Sequence, residues 1–291
     1  MSEATITHSG HADSTVTKGK SAGVVFDMSE GPADPASYDV FAPFYDAFTA
    51  GSDYDAWAGY VLALADEYGL AGRKLLDLAC GTGNSFVPFL RAGFEVTGCD
   101  ASGAMLAEAA RKAPAARLVE ADVRELPTLD RFHLVTCFDD SLNYLSEERD
   151  LASAFGSMAA NLHREGLAMF DLNTLLAYRT TFATDSVSAH GDVIFAWRGA
   201  SRADAAPGCR ADASIEVFAP RGRGLYERVT SVHAQRHFPR ERVLDALRRA
   251  GLACLGVHGV LADGGLVPDA DELRHLKVLY VARLAEGGVD E

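Results

Sequence analysis

The segment Leu75–Asn84 reads LLDLACGTGN and decides the fold of the chain. Its apolar start is typical of a buried β-strand, its small residues predict a turn, and a helix is predicted directly after the turn. Gly81 and Gly83 remove side chains from the turn, so the backbone can approach a ligand closely. The N–H groups at the start of the following helix are free hydrogen-bond donors. The segment therefore predicts a strand–turn–helix unit that binds a small molecule.

Strands and helices alternate from this segment onwards, which is typical of a parallel sheet. Strands are predicted at 74–78, 95–99, 117–120, 134–138, 167–172, 252–257 and 275–284. Helices are predicted after the glycine turn through Arg91 and over 102–111, 151–162 and 239–250. Because parallel strands need crossover connections, the pattern predicts an α/β fold. We expect a Rossmann-like, doubly wound, mostly parallel seven-stranded sheet with helices on both faces.

The alternation stops after Asn173. Strands are predicted at 192–197, 213–218 and 225–233, with no helix between them. We interpret residues 185–238 as an antiparallel β insertion that forms a substrate cap over the strand ends. Aromatic residues at helical spacing predict two lid helices within 37–70. The expected division is a disordered N-terminal tail at 1–36 and one domain at 37–291.

Composition and charge disfavour several classes of partner. The 291 residues carry a formal net charge of −14, whereas nucleic-acid binding needs a concentrated basic surface. No apolar run approaches the roughly 20 residues that span a bilayer, and the N-terminus lacks a signal-peptide pattern, which predicts no membrane contact and a cytoplasmic location. The five cysteines form no CxxC pair, so free thiols and no metal site are expected. A small-molecule substrate and a monomer or homodimer are the expectations that remain.

A dinucleotide site is the main alternative for the glycine turn. Its fingerprint, G-x-G-x-x-G, needs a third glycine for close helix packing, but Phe86 stands at that position. Asp77 lies before the turn, where it would repel a pyrophosphate and suit a ligand with an amino group. The residues therefore disfavour NAD(P) and leave an NAD(P)-dependent oxidoreductase as an alternative.

Acidic residues follow the next two predicted strands. Asp100 comes at the end of the second strand, where a carboxylate can accept hydrogen bonds from both hydroxyl groups of a ribose. Asp122 closes the third strand and is placed to accept a hydrogen bond from an adenine amino group. Met105 and Val123 would flank the adenine ring. The pattern predicts a nucleoside ligand.

Four segments in order, LLDLACGTGNS, TGCDASGAML, ADVRELP and FDDSLNYL, resemble the class I S-adenosylmethionine (SAM)-dependent methyltransferases. The resemblance covers Tyr38 to Asn173 well and implies SAM as cofactor. It implies that Gly81 and Gly83 approach the methionine part, and that Asp77 serves its ammonium group through water or backbone. Ala79 stands where the family's commonest residue is glycine. The predicted cofactor-binding residues are Tyr38, Tyr45, Asp77, Ala79, Cys80, Gly81, Gly83, Asp100, Ala101, Met105, Asp122, Val123, Phe138 and Asn143.

Methyl transfer is expected just beyond the fourth strand, close to the methionine part of SAM. The D-x-x-N-Y-L run that begins at Asp140 resembles small-molecule N-methyltransferases, including those that act on amino sugars and on glycine-like amines. The paired acids Asp139 and Asp140 could orient an amine or act as a base. The run Tyr38–Asp46 resembles the family's lid helix, in which an aromatic face suits a cationic sulfonium. His190 and His233 are candidate bases because imidazole titrates near neutral pH. The predicted catalytic residues are Asp140, Tyr45, His190 and His233.

These features predict in-line methyl transfer from SAM to a nitrogen of a small metabolite, with oxygen and carbon as alternatives, in specialised metabolism. A non-catalytic SAM-binding regulatory protein is a further alternative. The enclosed cap and the aromatic lid argue against it, since a sensor needs no acceptor pocket.

Overall fold

A computed structural model describes residues 35–286 of the chain. Its strands are β1 Lys74–Leu78, β2 Glu95–Asp100, β3 Arg117–Glu120, β4 Phe132–Cys137, β5 Leu162–Asn173, β6 Asp185–His190, β7 Val193–Gly199, β8 Arg210–Pro220, β9 Tyr226–Arg236, β10 Leu252–Val260, β11 Leu266–Pro268 and β12 Lys277–Leu284. Its α-helices are α1 Pro35–Phe48, α2 Tyr54–Glu67, α3 Val87–Arg91, α4 Gly103–Lys112, α5 Glu148–Asn161, α6 Leu175–Arg179 and α7 Arg240–Arg249.

The central sheet has the order β11-β10-β12-β5-β4-β1-β2-β3. Strands β1 to β5 pair in parallel, whereas β12 pairs with β5 and β10 in antiparallel fashion. The predicted Rossmann-like, mostly parallel sheet is therefore confirmed. The sheet has one strand more than the seven predicted. This edge strand, β11, has three residues, which are too few to show a periodic pattern in the sequence. The carboxyl ends of β1 to β5 lie at one edge of the sheet.

Helices cover both faces of this sheet, as the doubly wound pattern requires. On one face α5 and α7 pack against β4, β5 and β12, and the rings of Phe155 and Phe170 lie 4.8 Å apart. On the other face α2, α3 and α4 pack against the sheet, where Val61 and Met169 share one apolar cluster. Successive residues of β5 thus enter opposite cores, which explains why its segment 167–170 is apolar without interruption.

Strands β6 to β9 form a separate antiparallel sheet in sequence order. Buried and partly buried residues alternate along β8, so one face of this sheet is covered. The cover is α1, because Phe41 packs with Phe195, Ile215 and Val217. The predicted antiparallel sheet is confirmed, whereas the limits 185–238 and the role of a substrate cap stay predictions. Strand β6 was not predicted, since its residues DSVSAH are mostly small and polar and all exposed.

The predicted tail, residues 1–36, lies outside the described residues except for its last two, which begin α1. Helix α2 falls within the predicted lid, 37–70, and α1 begins two residues before it. Across residues 35–286, no helix has the length and apolar character needed to cross a bilayer. The domain limits and the cytoplasmic location stay predictions.

We expect Gly199→Ala to destabilise the cap. A Cβ at Gly199 would lie less than 3.0 Å from the backbone carbonyl oxygens of Phe182 and Thr184, which cannot move independently of the chain. The overpacking should lower the free energy of unfolding by about 1–3 kcal/mol in urea denaturation. Gly156→Ala is the matched control, because nothing lies within 4 Å of its added Cβ inside α5. The control should gain up to about 1 kcal/mol, and equal effects of the two substitutions would contradict this account.

Candidate active site

The glycine turn is held by the carboxylate of Asp100. Its Oδ2 accepts the N–H of Gly81 at 2.8 Å, and its Oδ1 accepts the N–H of Ser102 at 2.8 Å. The turn needs left-handed backbone, with φ of 53° at Gly81 and 85° at Gly83. Burial raises the pKa of Asp100 above its usual range, while the hydrogen bonds to the carboxylate act against that rise. Each oxygen keeps a further lone pair with which it can accept a ligand hydroxyl.

Asp77 lies beneath the turn and not in a cavity. Its carboxyl group is 1% exposed and accepts hydrogen bonds of 2.6 Å from the hydroxyl groups of Ser85 and Thr136. Burial raises the pKa of Asp77 to about 7. The side chain therefore fastens β1 to β4 and to the segment that follows the turn.

A first cavity of about 350 Å³ lies at the carboxyl ends of β1, β2 and β3. Many of the predicted cofactor-binding residues line it: Tyr38, Tyr45, Ala79, Gly81, Asp100, Ala101, Met105, Asp122 and Val123. The other lining residues are Ser102, Ala121, Arg124, Asp139, Ser141, Tyr144 and Leu145. The volume is within the range of small-molecule pockets.

Asp122 is engaged by its own neighbour. The guanidinium of Arg124 donates to both carboxylate oxygens of Asp122, and the Arg124 N–H donates to Oδ1 at 2.8 Å. Hydrogen bonding from Arg124 lowers the pKa of Asp122 below its usual range. A ligand amino group would share this carboxylate with Arg124.

The remaining predicted cofactor residues do not line the first cavity. Asp77 is fastened as described, Cys80 is buried, and a Cβ at Gly83 would clash with the ring of Phe86. Phe138 is buried with its ring 5.5 Å from Trp57. Asn143 is fully buried, where it donates to the carbonyl of Arg236 and accepts from the N–H of Asn173, both at 2.8 Å. These side chains support the site without reaching it.

A second cavity of about 280 Å³ lies between α1, the loop after β4 and the antiparallel sheet of β6 to β9, which we call the cap sheet. Tyr38, Tyr45, Asp139 and Tyr144 line both cavities. We call these four residues the shared wall. The second cavity is also lined by Phe41, Phe48, Thr49, Ser52, Tyr54, Asp140, Asn173, Ala177, Thr181, Phe182, Trp197, Ile215, His233, Gln235, Leu276 and Lys277.

Two adjacent aspartates in the loop after β4 are held in left-handed backbone. Asp139 has φ 57° and Asp140 has φ 51°, which L-residues rarely adopt. Asp171, at the end of β5, accepts the N–H of Asp139 at 3.1 Å and the N–H of Asp140 at 2.6 Å. Burial raises the pKa of Asp171 to about 6. The buried carboxyl group of Asp171 therefore holds the backbone of Asp139 and Asp140 in this conformation, which determines where their side chains point.

Lys277, at the start of β12, partly neutralises this acidic cluster. Its Nζ lies 2.6 Å from Asp140, 3.7 Å from Asp171 and 3.9 Å from Asp139. Gln235 donates to the other oxygen of Asp140 at 2.5 Å. Three carboxyl groups thus surround one ammonium group, so the cavity favours a further positive charge.

His233 is a neutral, buried side chain with one free nitrogen. It is 3% exposed, and its Nδ1 lies 2.9 Å from the hydroxyl oxygen of Tyr144. Within residues 35–286, no group bonds its Nε2. Burial lowers the pKa of His233 to about 4. His190, by contrast, is exposed at the end of β6 and lines neither cavity.

Comparison with known proteins shows the family to which the chain belongs. A family profile described as methyltransferase domain matches residues 75–166. YqeM of Bacillus subtilis (strain 168), provisionally named a methyltransferase, is 31% identical over 231 residues, which are 78% of this chain and 89% of YqeM. The chain belongs to the class I SAM-dependent methyltransferases. Neither the NAD(P)-dependent oxidoreductase nor the non-catalytic alternative is favoured.

Further relatives and solved structures include sugar N-methyltransferases. The dTDP-3-amino-3,6-dideoxy-alpha-D-glucopyranose N,N-dimethyltransferase of Streptomyces fradiae is 32% identical over 121 residues, covering 42% of this chain and 48% of the relative. A SAM-dependent methyltransferase structure from Clostridium acetobutylicum ATCC 824 has a TM-score of 0.71 at 26% identity, covering 85% of this chain and 99% of that one. The sugar N-methyltransferase KedS8 of Streptoalloteichus sp. ATCC 53650 shares the fold, with a TM-score of 0.68 at 24% identity over 96% of this chain and all of that one.

Sequence reasoning missed several residues of the candidate site. Asp171 carries the signal that led to Asp100, a carboxylate at the end of a parallel strand, and could have been found by it. Lys277 and Gln235 come from antiparallel strands far along the chain, and nothing local marks them. Asp139 was considered only as a neighbour of Asp140, although it is the one that lines both cavities.

We expect Asp77→Asn to change how stability depends on pH. The Asp77 carboxyl group keeps its proton up to about pH 7 when folded but loses it near pH 3.9 when unfolded. The folded state binds more protons between these values, so this group lowers stability as pH rises through that interval. Asparagine removes the effect and can still bond Ser85 and Thr136.

The Tm of Asp77→Asn minus that of the unsubstituted protein should therefore rise from pH 5 to pH 8 in thermal denaturation without ligand. Asp130→Asn, an exposed carboxylate paired with Lys74, is the control and should show no such rise. Parallel pH profiles for Asp77→Asn and the unsubstituted protein would contradict a buried, protonated Asp77.

Proposed function

We propose that the first cavity binds SAM and the second binds an acceptor amine, which receives the methyl group across the shared wall. The observation that carries this proposal is that Tyr38, Tyr45, Asp139 and Tyr144 line both cavities. Cavities that share lining residues adjoin each other, so a methyl group in the first can meet an amine in the second at their boundary, and in-line alignment is the main requirement of the reaction. The lid is α1 with α2, and β6 to β9 are the cap over the acceptor.

The residues of the first cavity fit SAM. Asp100 is fixed by two backbone N–H groups and retains lone pairs for the ribose hydroxyls. Met105 and Val123 supply apolar contacts for adenine, with Asp122 at its edge. Gly81 leaves room for the methionine part beside Tyr45. When bound, SAM supplies a methyl group that is activated by a positively charged sulfur.

The residues of the second cavity orient an amine. Asp139 and Asp140 attract a protonated amine from solution, because two carboxylates outweigh the single positive charge of Lys277. The bound ammonium releases one proton to water and reacts as the free base, and its remaining N–H groups can donate to Asp139 and to Nε2 of His233. This arrangement requires His233 to donate its Nδ1 proton to Tyr144. With a pKa of about 4, His233 positions the acceptor and does not store a proton.

A nitrogen acceptor is also supported by the relatives. Several are named as N-methyltransferases of amino sugars, and one as a glycine/sarcosine N-methyltransferase. We therefore propose a small amine of specialised metabolism as the substrate of this chain. The tyrosine rings of the shared wall exclude water from the transferring methyl group. His190, exposed and remote from both cavities, has no role in this proposal.

The cofactor site is tested by Asp100→Ala. Loss of the ribose contact should weaken binding of S-adenosylhomocysteine by about 1–3 kcal/mol in calorimetry. Alanine also removes a support of the turn, so Asp46→Ala is the matched control. Asp46 accepts from Thr82 and Asn84 of the same turn but does not line the cavity. Equal weakening by both substitutions would contradict direct contact with the ribose.

The reaction is tested with a panel of small primary amines and SAM, by following S-adenosylhomocysteine and N-methyl products. We expect Asp139→Asn to raise KM for the amine about tenfold with a smaller effect on kcat, because it removes charge that binds the amine. Asp130→Asn, at the other end of the same strand, should leave both constants unchanged. Absence of methylated product from every amine would contradict the proposed function.

A further inference from the structure

A third cavity of about 500 Å³ continues from the second along the cap sheet. Phe48, Thr181 and Trp197 line both of them. We call the third cavity the cap groove. Its remaining lining residues are Thr180, Thr184, Ser186, Ser188 and Phe195. A molecule whose reacting group lies in the second cavity would extend into the cap groove.

Aromatic rings form one part of the cap groove and are held in place. Phe48 and Phe195 meet edge to face, with ring centroids 5.5 Å apart. Trp197 donates its indole N–H to the carbonyl of Thr181 at 3.0 Å and packs edge to face on Phe182 at 5.1 Å. Fixed aromatic surfaces of this kind offer a flat apolar face to a ligand ring.

Hydroxyl groups form the other part. The side chains of Thr181, Ser186 and Ser188 bring hydroxyl groups to its lining. Those of Thr180 and Thr184 donate to backbone carbonyls at 2.7 and 3.0 Å and can still accept. Side chains alternate along β6, so Val187, which is 74% exposed, lies on the face opposite to Ser186 and Ser188. The cap groove therefore offers many donors and acceptors without charge.

The charges along the two cavities distinguish amine-bearing ligands that carry a phosphate group from those that do not. In the described part of the chain, no Asp, Glu, Lys or Arg lines the cap groove. In the second cavity, the ammonium of Lys277 is already bound to Asp140 at 2.6 Å, beside two further carboxyl groups. A diphosphate placed along this path would lose water without gaining a cationic partner, and the carboxylates would repel it.

We propose that the cap groove binds an uncharged, polyhydroxylated ring that carries the acceptor amine, so that the substrate is an amino sugar or aminocyclitol without a phosphate group. The inference rests on the proposed function and specifies its substrate class. It distinguishes this chain from relatives whose names specify dTDP-linked amino sugars. Ring faces pack on Phe48 and Trp197, and ring hydroxyls bond the Ser and Thr side chains.

The test measures binding to the full chain loaded with S-adenosylhomocysteine. The probes are methyl 3-amino-3-deoxy-α-D-glucopyranoside, the dTDP ester of the same amino sugar, and cyclohexylamine. We expect the methyl glycoside to bind at least about tenfold more tightly than either of the others. Equal or tighter binding of the dTDP ester would overturn the exclusion of phosphate. Equal or tighter binding of cyclohexylamine would overturn the role of the hydroxyl groups.

Variants locate the binding in the cap groove. Trp197→Ala should weaken the methyl glycoside about tenfold. Ser188→Lys places a cation in the groove and should tighten the dTDP ester about tenfold, whereas Val187→Lys, on the opposite face of the same strand, should not. Because Ser188 is exposed, this variant serves even if Trp197→Ala fails to fold. No change with Ser188→Lys, or the same change with Val187→Lys, would overturn the assignment.

Failure of this inference is distinguishable from failure of the proposed function. If the protein methylates other amines but does not bind the methyl glycoside, only the assignment of the cap groove is overturned. If no amine is methylated, the proposed function and this inference are overturned together.

Discussion

The two hydrogen bonds that Asp171 accepts from the backbone of Asp139 and Asp140 are the constraint on which the site depends. Two consecutive L-residues in left-handed backbone are unfavourable, and a buried carboxyl group at the end of β5 holds them there. Without this turn, Asp139 would not border both cavities. This loop therefore supplies Asp139 and Tyr144 to the shared wall, and α1 supplies Tyr38 and Tyr45.

Features that were predictable from the sequence are those encoded locally. The glycine turn, the acidic ends of β2 and β3, and the apolar strands each occupy a few adjacent residues, and parallel topology brings their ends to one edge. Asp100, Met105 and Val123 accordingly line the first cavity as expected. The cap was recognisable because strands without intervening helices cannot form a parallel sheet.

Features that were not predictable depend on residues that are distant in sequence. Lys277 reaches Asp140 only because β12 pairs with β5, which brings Lys277 opposite Asn173. The neutral state of His233 arises from burial against α1 and Tyr144, which no pattern in β9 reveals. Asn143 shows the converse error, because its motif suggested the pocket, whereas its amide joins β5 to β9. A motif specifies a position along the chain but not the direction of a side chain.

The charge distribution also limits the source of rate enhancement. In the proposed reaction, positive charge passes from sulfur in the first cavity to nitrogen in the second. Asp139 borders both cavities, so its carboxylate is near that charge before and after transfer. An interaction that is equally strong in the ground and transition states improves binding and leaves the chemical step unchanged. Acceleration must then come from alignment across the shared wall and from exclusion of water by Tyr38, Tyr45 and Tyr144.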